Sequence, residues 1–277
     1  MTSEQASLYA SSDDGRVRIV VWNMSYWQKS DSERIAAWGW LRDFGADVAL
    51  VQEAVPPAGL RAVVYRPIGG RRPWGSAVVG LTTEVVQVTQ AVGRYSSGPV
   101  NLLVTHPGAV AIATVETAGR LITLVSMYGL IDDGYADTTV NRLLSDLVPL
   151  FDDPRLGCHV IVGGDLNITT QWTGRQARYR DWEAATLNRI TSFGLRDCLD
   201  LGRQSGPLEG CGCADGDLCR HVRTQHHLRS DRCWQNDYLF ASDGLVEQGL
   251  VRGAQVVDDP ALKVLSDHMP LVVEVVG

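Results

Sequence analysis

The stretch "VIVGGDLNITT", residues 160–170, decides how the chain is read. Three apolar residues lead into two glycines and then into Asp165 and Asn167, the pattern of a buried strand whose end presents a carboxylate and a carboxamide. Other apolar runs stop in the same manner. "RVRIVVWN" (16–23) is apolar on both faces, as expected of a strand covered on both sides, and it ends at Asn23. "DVALVQE" (47–53) ends at Glu53, and "AIATVETAGRLITLVSMY" (111–128) reads as an antiparallel hairpin about a two-residue turn that ends at Tyr128. "CWQNDYLFAS" (233–242) and "MPLVVEVV" (269–276) are the closing strands, with Asp237 inside the first and Asp267 and His268 just ahead of the second.

Helical periodicity falls between these runs. "SDSERIAAWGWLRDFG" (30–45) has Ser30 or Asp31 as N-cap, Ile35, Trp38, Leu41 and Phe44 at helical spacing, and Gly45 as a stop. "DTTVNRLLSDLVPLF" (137–151) predicts one amphipathic helix, and "QARYRDWEAATLNRITSFG" (176–194) another. Strand-like runs also occur at 75–81 and 100–105, whereas "RPIGGRRPWG" (66–75) reads as a basic loop and lacks the GK[ST] ending of a phosphate-binding loop. The alternation of strands and helices predicts a layered α/β domain over residues 16–277, preceded by a polar tail at 1–15 and interrupted by a Cys-, His- and Arg-rich insert at 203–233.

At 277 residues and 45% hydrophobic content the chain can bury a large core. No stretch approaches the roughly 18 apolar residues of a membrane helix, and the first sixteen residues lack a secretory apolar region, so a cytoplasmic protein without membrane contact is expected. The net charge of -7 gives no global basic field. A polyanionic partner would therefore need a local patch or bound cations.

Asn23, Glu53, Tyr128, Asp165, Asn167, Asp237, Asp267 and His268 all stand where apolar runs stop. Any one of them alone reads as a turn former or cap; gathered on one rim of the sheets they would line a cleft. Glu53 and Asp267 supply the hard oxygen atoms that suit Mg²⁺ or Mn²⁺. Phosphoester hydrolysis asks for neutralised phosphate oxygens, an activated water and a stabilised leaving oxygen, for which a carboxylate base, an Asp-His pair, and Asn or Tyr donors are apt.

"VWNM" (21–24), "VQE" (51–53), "SMYG" (126–129), "GGDLN" (163–167), "WQNDYLFAS" (234–242) and "LSDHMP" (265–270), in this order, resemble the endonuclease/exonuclease/phosphatase superfamily of metal-dependent phosphoesterases. The resemblance implies a four-layer α/β/β/α sandwich of two packed mixed sheets. It implies that Glu53 holds the metal with Asp267 near it and Asn23 beside them, that Asp165 activates the water, and that Asn167 orients that water or a phosphate oxygen. His268 would bind phosphate and be held by Asp237. Gly163 and Gly164 would leave room for phosphate and metal beside the strand end. Tyr128, where lipid-cleaving and pancreatic-deoxyribonuclease-like branches carry histidine, is similar to the apurinic endonuclease and exonuclease branch, and Trp234 resembles an aromatic that walls the abasic pocket there. Ser25 and Asn236 depart from that branch, which has an acid and an apolar residue at these places.

The insert "CGCADGDLCRHVRTQHHLRSDRCW" (211–234) holds four of the six cysteines, together with His221, His226 and His227. Its few apolar residues cannot order it by burial, whereas Zn²⁺ on Cys211 or Cys213, Cys219 and His221, with a further ligand from His226, His227 or Cys233, would staple it; a reduced loop and disulfides are the alternatives. Arg220, Arg223, Arg229 and Arg232 would give the insert a grip on nucleic-acid backbone. The expected function is a metal-dependent nuclease, acting on DNA rather than RNA, with abasic sites or 3′ ends as the candidate targets. The alternatives are a phosphatase or phosphodiesterase for a small metabolite, nucleotide or phospholipid headgroup, and a non-catalytic nucleic-acid-binding module.

Overall fold

In strand β1 (Val17–Asn23) successive side chains enter two different cores: Ile19 and Val21 belong to one apolar cluster, Val20 and Trp22 to another. A strand buried on both faces needs a packed layer on each side, and that requirement sets the architecture. The computed structural model describes residues 15–60, 62–131, 135–203, 208–226 and 232–277, so all but the last position of the expected tail at 1–15 lies outside the described residues.

Helix α1 (Asp31–Asp43), β2 (Val48–Ala54), β3 (Ala62–Gly69) and β4 (Arg72–Gly80) come next, then the short β5 (Val86–Gln87), β6 (Gln90–Ala91) and β7 (Val100–Asn101). They are followed by β8 (Val110–Thr117), β9 (Arg120–Met127), α2 (Ala136–Asp146), α3 (Val148–Asp152), β10 (Val160–Asp165) and α4 (Ala177–Ser192). The chain closes through β11 (Leu195–Asp197), α5 (Cys198–Leu201), β12 (Gln225–His226), β13 (Cys233–Trp234), β14 (Asp237–Ser242), α6 (Asp243–Glu247), β15 (Ala254–Val256) and β16 (Leu271–Val275). One six-stranded sheet runs β15-β16-β1-β2-β4-β3 and a second runs β11-β14-β10-β9-β8-β5. Each is mixed, with β1–β2 and β9–β10 as parallel pairs among antiparallel neighbours.

Ile19, Val21, Leu50 and Val78 of the first sheet interlock with Ile122, Leu124, Ile161 and Leu239 of the second. Each such side chain contributes about 1.5–3 kcal/mol on leaving water. Ala37, Trp38 and Leu41 of α1 cover the outer face of the first sheet, and Val140, Leu143 and Ile190 of α2 and α4 cover that of the second. The four-layer α/β/β/α sandwich is therefore present. Among the described residues no helix is long and apolar enough to cross a membrane.

Local chemistry explains where the structure departs from the sequence reading. Ser30, not Asp31, caps α1 through a reciprocal capping box with Glu33. Ile35 faces solvent, and Trp40 packs edge-on to Trp22 instead, at 5.3 Å. The single helix expected over 137–151 breaks at Leu147 because Pro149 has no N–H to continue the ladder. The run 100–105 keeps only Val100–Asn101 as strand. The "RPIGGRRPWG" loop is instead the tip of the β3–β4 hairpin, reversing at Gly69 and Gly70 with φ of 92° and 62°. Pro67 hid this strand from the sequence reading, yet β3 is a sheet edge, where proline is tolerated.

Gly163 and Gly164 require a correction as well. A Cβ on Gly163 would lie 2.5 Å from Val21 Cγ2 of the facing sheet, and one on Gly164 would lie 1.7 Å from the Met127 carbonyl oxygen. Both glycines serve close packing inside the sandwich rather than making room for a ligand. Gly163→Ala is expected to lower the unfolding free energy by about 1–3 kcal/mol, read from guanidinium chloride midpoints. Gly59→Ala, where an added Cβ meets nothing within 4 Å, is the control that should leave the midpoint unmoved.

Candidate active site

The rim shared by the two sheets collects the polar strand ends. Asp165 and Asp237 face each other directly across β10 and β14, because the last residue of one antiparallel strand pairs with the first of the other. From the opposite sheet, Asn23 at the end of β1 donates its Nδ2 to Asp165 Oδ2 at 2.8 Å. Asn167 donates its backbone N–H to Asp165 Oδ1 at 2.9 Å and its side-chain Nδ2 to Oδ2 at 3.1 Å. His268 sits over this pair, with Nδ1 2.8 Å from Asp237 Oδ2 and Nε2 3.8 Å from Asp165 Oδ2.

A second group of oxygen atoms borders the first. Glu53 Oε1 accepts from the Tyr128 hydroxyl at 2.8 Å, while Asp267 accepts from the Ser25 hydroxyl and, at 3.3 Å, from Gln225 Nε2. The structure thus brings together every residue expected to act in hydrolysis: Asn23, Glu53, Tyr128, Asp165, Asn167, Asp237, Asp267 and His268. A backbone irregularity in the β2–β4 pairing between Val51 and Ala54 turns Glu53 to this rim. Among the described residues, the non-glycine positions with left-handed φ are Ser25 (46°), Glu53 (44°), Asn167 (51°) and Ala118 (48°). Ala118 belongs to the β8–β9 hairpin turn; the other three sit in this pocket, each at a strain of about 1–3 kcal/mol that the surrounding contacts must offset.

The electrostatics follow from crowding carboxylates out of water. Burial pushes the Asp165 carboxyl up to about 7, with Asp237 adding to the effect and His268 opposing it. Burial likewise raises Glu53 against the Tyr128 hydrogen bond. Burial alone would lower the His268 imidazole, but the Asp237 and Asp165 carboxylates outweigh it and hold the ring's pKa at about 10. The Gln225 amide, whose Nε2 stands 3.0 Å from His268 Nε2, favours the neutral ring; one neutral dipole is outweighed by two carboxylates. Asp267 lies low despite its burial, because the His268 charge and the Ser25 hydroxyl favour its anion.

Asp165, Asp237 and His268 offer donor atoms within 4.8 Å of one another and could hold a metal. His268 Nδ1 is already engaged by Asp237, so an ion there would take its nitrogen from Nε2, which the Gln225 amide also approaches. Glu53 and Asp267 fit a hard dication better: they are oxygen donors, and Glu53 is a buried anion without a full counter-charge.

The insert is placed differently from the rim residues. Cys211, Cys213, Cys219 and His221 converge on one point. Arg220 pairs with Asp200 at 2.5 Å, and the Arg223 guanidinium lies on Cys233 Sγ at 2.6 Å. Arg229 and His227 lie outside the described residues. Trp234 packs on Trp172 with ring centroids 5.0 Å apart. Gln225 is the site residue that sequence reasoning missed: it reaches both Asp267 and His268 from inside the insert, and no apolar run marks its position. Ser25 did carry a signal, as the position departing from the expected acid.

The His268 pairing has a consequence in pH. An unfolded histidine titrates near 6.5, so the stability contributed by the charged ring is fully present below that pH and is lost as pH rises through about 10. In Asp237→Asn the His268 ring should titrate at lower pH in NMR spectra, and the loss of stability between these two values should shrink. An unshifted ring titration would show that Asp237 does not hold the charge.

A model of the Endonuclease/Exonuclease/phosphatase family matches residues 28–268. No curated protein matches the chain. Among solved structures, an AP endonuclease from Archaeoglobus fulgidus superposes with a TM-score of 0.61 at 18% identity, covering 93% of this chain and 98% of that one. D. rerio TDP2 complexed with single-strand DNA product gives 0.60 at 15% identity, covering 94% and 99%. The 3′-5′ exonuclease NExo from Neisseria meningitidis gives 0.59 at 16%, with the same 94% and 99%. These likenesses are of fold. The family match spans most of the chain and takes in the pocket from Glu53 to His268, and on it the chain belongs to the Endonuclease/Exonuclease/phosphatase family.

Proposed function

We propose that the protein hydrolyses phosphodiester bonds of a nucleic-acid backbone, DNA in preference to RNA, with Mg²⁺ or Mn²⁺. The observation that carries this reading is Asp165: fully buried, oriented by Asn23 and Asn167, and raised to about 7, where a carboxylate is basic enough to take a proton from water and is still ionised near neutrality. Asn167 orients the water or a phosphate oxygen. His268, kept cationic by Asp237, donates from Nε2 to a phosphate oxygen, and Tyr128 holds Glu53 in place. A dication on Glu53 and Asp267, beside Asn23, would neutralise phosphate charge.

A strip of aromatic rings supports a polymeric substrate. Trp234, Trp172, Tyr179, Trp182 and Tyr135 touch in series, and Tyr135 (44% accessible) and Trp182 (52%) are open to solvent. Arg178 lies over Tyr179 at 4.8 Å and Arg232 over Trp234 at 4.9 Å. Two members precede or follow the catalytic residues closely, Trp234 ahead of Asp237 and Trp172 after Asn167. Stacked bases gain about 1–3 kcal/mol each on such rings. The nuclease likenesses, one of them with single-stranded DNA product bound, agree with this substrate class. The net charge of -7 favours the second reading, a small phosphoester.

The test incubates the protein with plasmid, single-stranded DNA, an abasic-site duplex, RNA and bis(p-nitrophenyl) phosphate, with Mg²⁺, Mn²⁺ or EDTA. DNA cleavage should disappear with EDTA and fall by at least about 10²-fold in Asp165→Asn and His268→Ala. Turnover of the small ester alone would establish the second reading. Trp182→Ala should weaken single-stranded DNA binding by roughly 1–3 kcal/mol in fluorescence anisotropy and leave turnover of the small ester unchanged.

A further inference from the structure

Residues 208–221 are ordered without an aliphatic core. The buried residues in this segment are Cys211, Cys219 and His221; of its two leucines Leu208 is half-buried and Leu218 is 83% exposed. Fixing the backbone of such a segment costs conformational entropy at every residue, and the half-burial of Leu208 offsets little of it. The three sulfurs of Cys211, Cys213 and Cys219 and one imidazole nitrogen of His221 instead lie within 4.8 Å of one another.

The geometry of that cluster is specific. His221 turns Nδ1 toward the sulfurs, 3.5 Å from Cys211 Sγ and 3.4 Å from Cys219 Sγ. A tetrahedral Zn²⁺ with ordinary bond lengths sets sulfur and nitrogen about 3.6 Å apart. The other ring nitrogen, Nε2, stands 2.6 Å from Thr170 Oγ1 and can donate its proton there, which leaves the Nδ1 lone pair free for a metal. Gly212, at φ 63°, turns the chain between Cys211 and Cys213, so two side chains that an extended strand would hold about 6.6 Å apart on one face converge on one centre. Gln171 Nε2 donates to Cys211 Sγ at 3.0 Å, and the backbone N–H groups of His221 and Leu208 point at Cys219. These are the donors a thiolate set needs.

We propose that Cys211, Cys213, Cys219 and His221 bind one structural Zn²⁺ ion that folds the insert. Four protein ligands close the coordination sphere, and soft sulfur with imidazole selects zinc rather than the hard cation that suits carboxylates. A disulfide fits the cluster less well, since three cysteines leave one thiol over and the imidazole without a role. Of the further ligands weighed from sequence, Cys233 is engaged by Arg223 and by the Glu209 carbonyl, and His226 stands outside the cluster. The ion ties the insert to Thr170 and Gln171, which follow the Asp165 strand. It also steadies the path to Thr224, whose hydroxyl accepts from the backbone N–H groups of Asn236 and Asp237, and to Gln225, which contacts Asp267 and His268.

The test is metal analysis of full-length protein purified without added metal, paired with a free-thiol count. About one zinc per chain is expected, with all six cysteines reactive after denaturation in chelator. Asp165→Asn should keep the zinc, while Cys211→Ser/Cys219→Ser and His221→Ala should lose it. Replacing zinc by Co²⁺ in the unaltered protein should give the near-ultraviolet thiolate-to-cobalt absorption, a readout that does not depend on the variants folding. Chelation in excess Mg²⁺ should lower Tm by more than about 5 °C. Zinc-free protein, a missing pair of thiols, a cobalt spectrum without thiolate absorption, or zinc lost from Asp165→Asn and retained by the cysteine variant would overturn the assignment.

Discussion

Val21 lies against Gly163, and there the two sheets approach as closely as side-chain atoms on backbone allow. Two residues further along both strands Asn23 and Asp165 meet at 2.8 Å. The contact sets the register between sheets that share no backbone ladder, and the pocket is a product of that register. A side chain at residue 163 would part the layers, and the carboxamide of one strand would no longer reach the carboxylate of the other. Packing at the centre of the sandwich and geometry at its rim are one constraint observed at two places.

The same closeness sets the charge problem of the pocket. Glu53, Asp165, Asp237 and Asp267 surround a single imidazole, and water is largely excluded from them. Direct hydrogen bonds from Asn23, Ser25, Tyr128, Asn167 and Gln225 compensate in part. The remainder shows as raised affinities for protons at Asp165, Glu53 and His268, and a set of acids that holds protons too tightly is also a set disposed to accept a cation. The left-handed backbones of Ser25, Glu53 and Asn167 belong to the same balance, since each aims a side chain that a relaxed strand end would direct elsewhere.

Much of this was legible beforehand because period and position carry physical meaning. Runs such as Arg16–Asn23 and Asp47–Glu53 are apolar on both faces, which only a layered sandwich can satisfy, and the polar residue ending each run marked the rim. Strand β3 was not legible, because Pro67, Gly69 and Gly70 speak locally for a loop, and only its place at a sheet edge lets proline remain in a ladder. The interior task of Gly163 and Gly164 was hidden for a related reason: the partner atoms, Val21 and the Met127 carbonyl, are remote in sequence. Gln225 reaches the pocket from a segment with no periodicity at all, so nothing short of coordinates could place it.

The strand order also fixes when the pocket can exist. β1 pairs with β16, Val17 opposite Val275, and the Trp22 indole donates to the His268 carbonyl oxygen at 3.0 Å. During synthesis the residues around Asp165 emerge long before residues 267–275, and until then β1 has an open edge in the middle of what will be the first sheet. Contacts of such sequence separation close late and slowly. The acids of the pocket are therefore assembled only once β16 has paired with β1, and until then the folding chain is a half-built sandwich without the His268 ring that bridges Asp165 and Asp237.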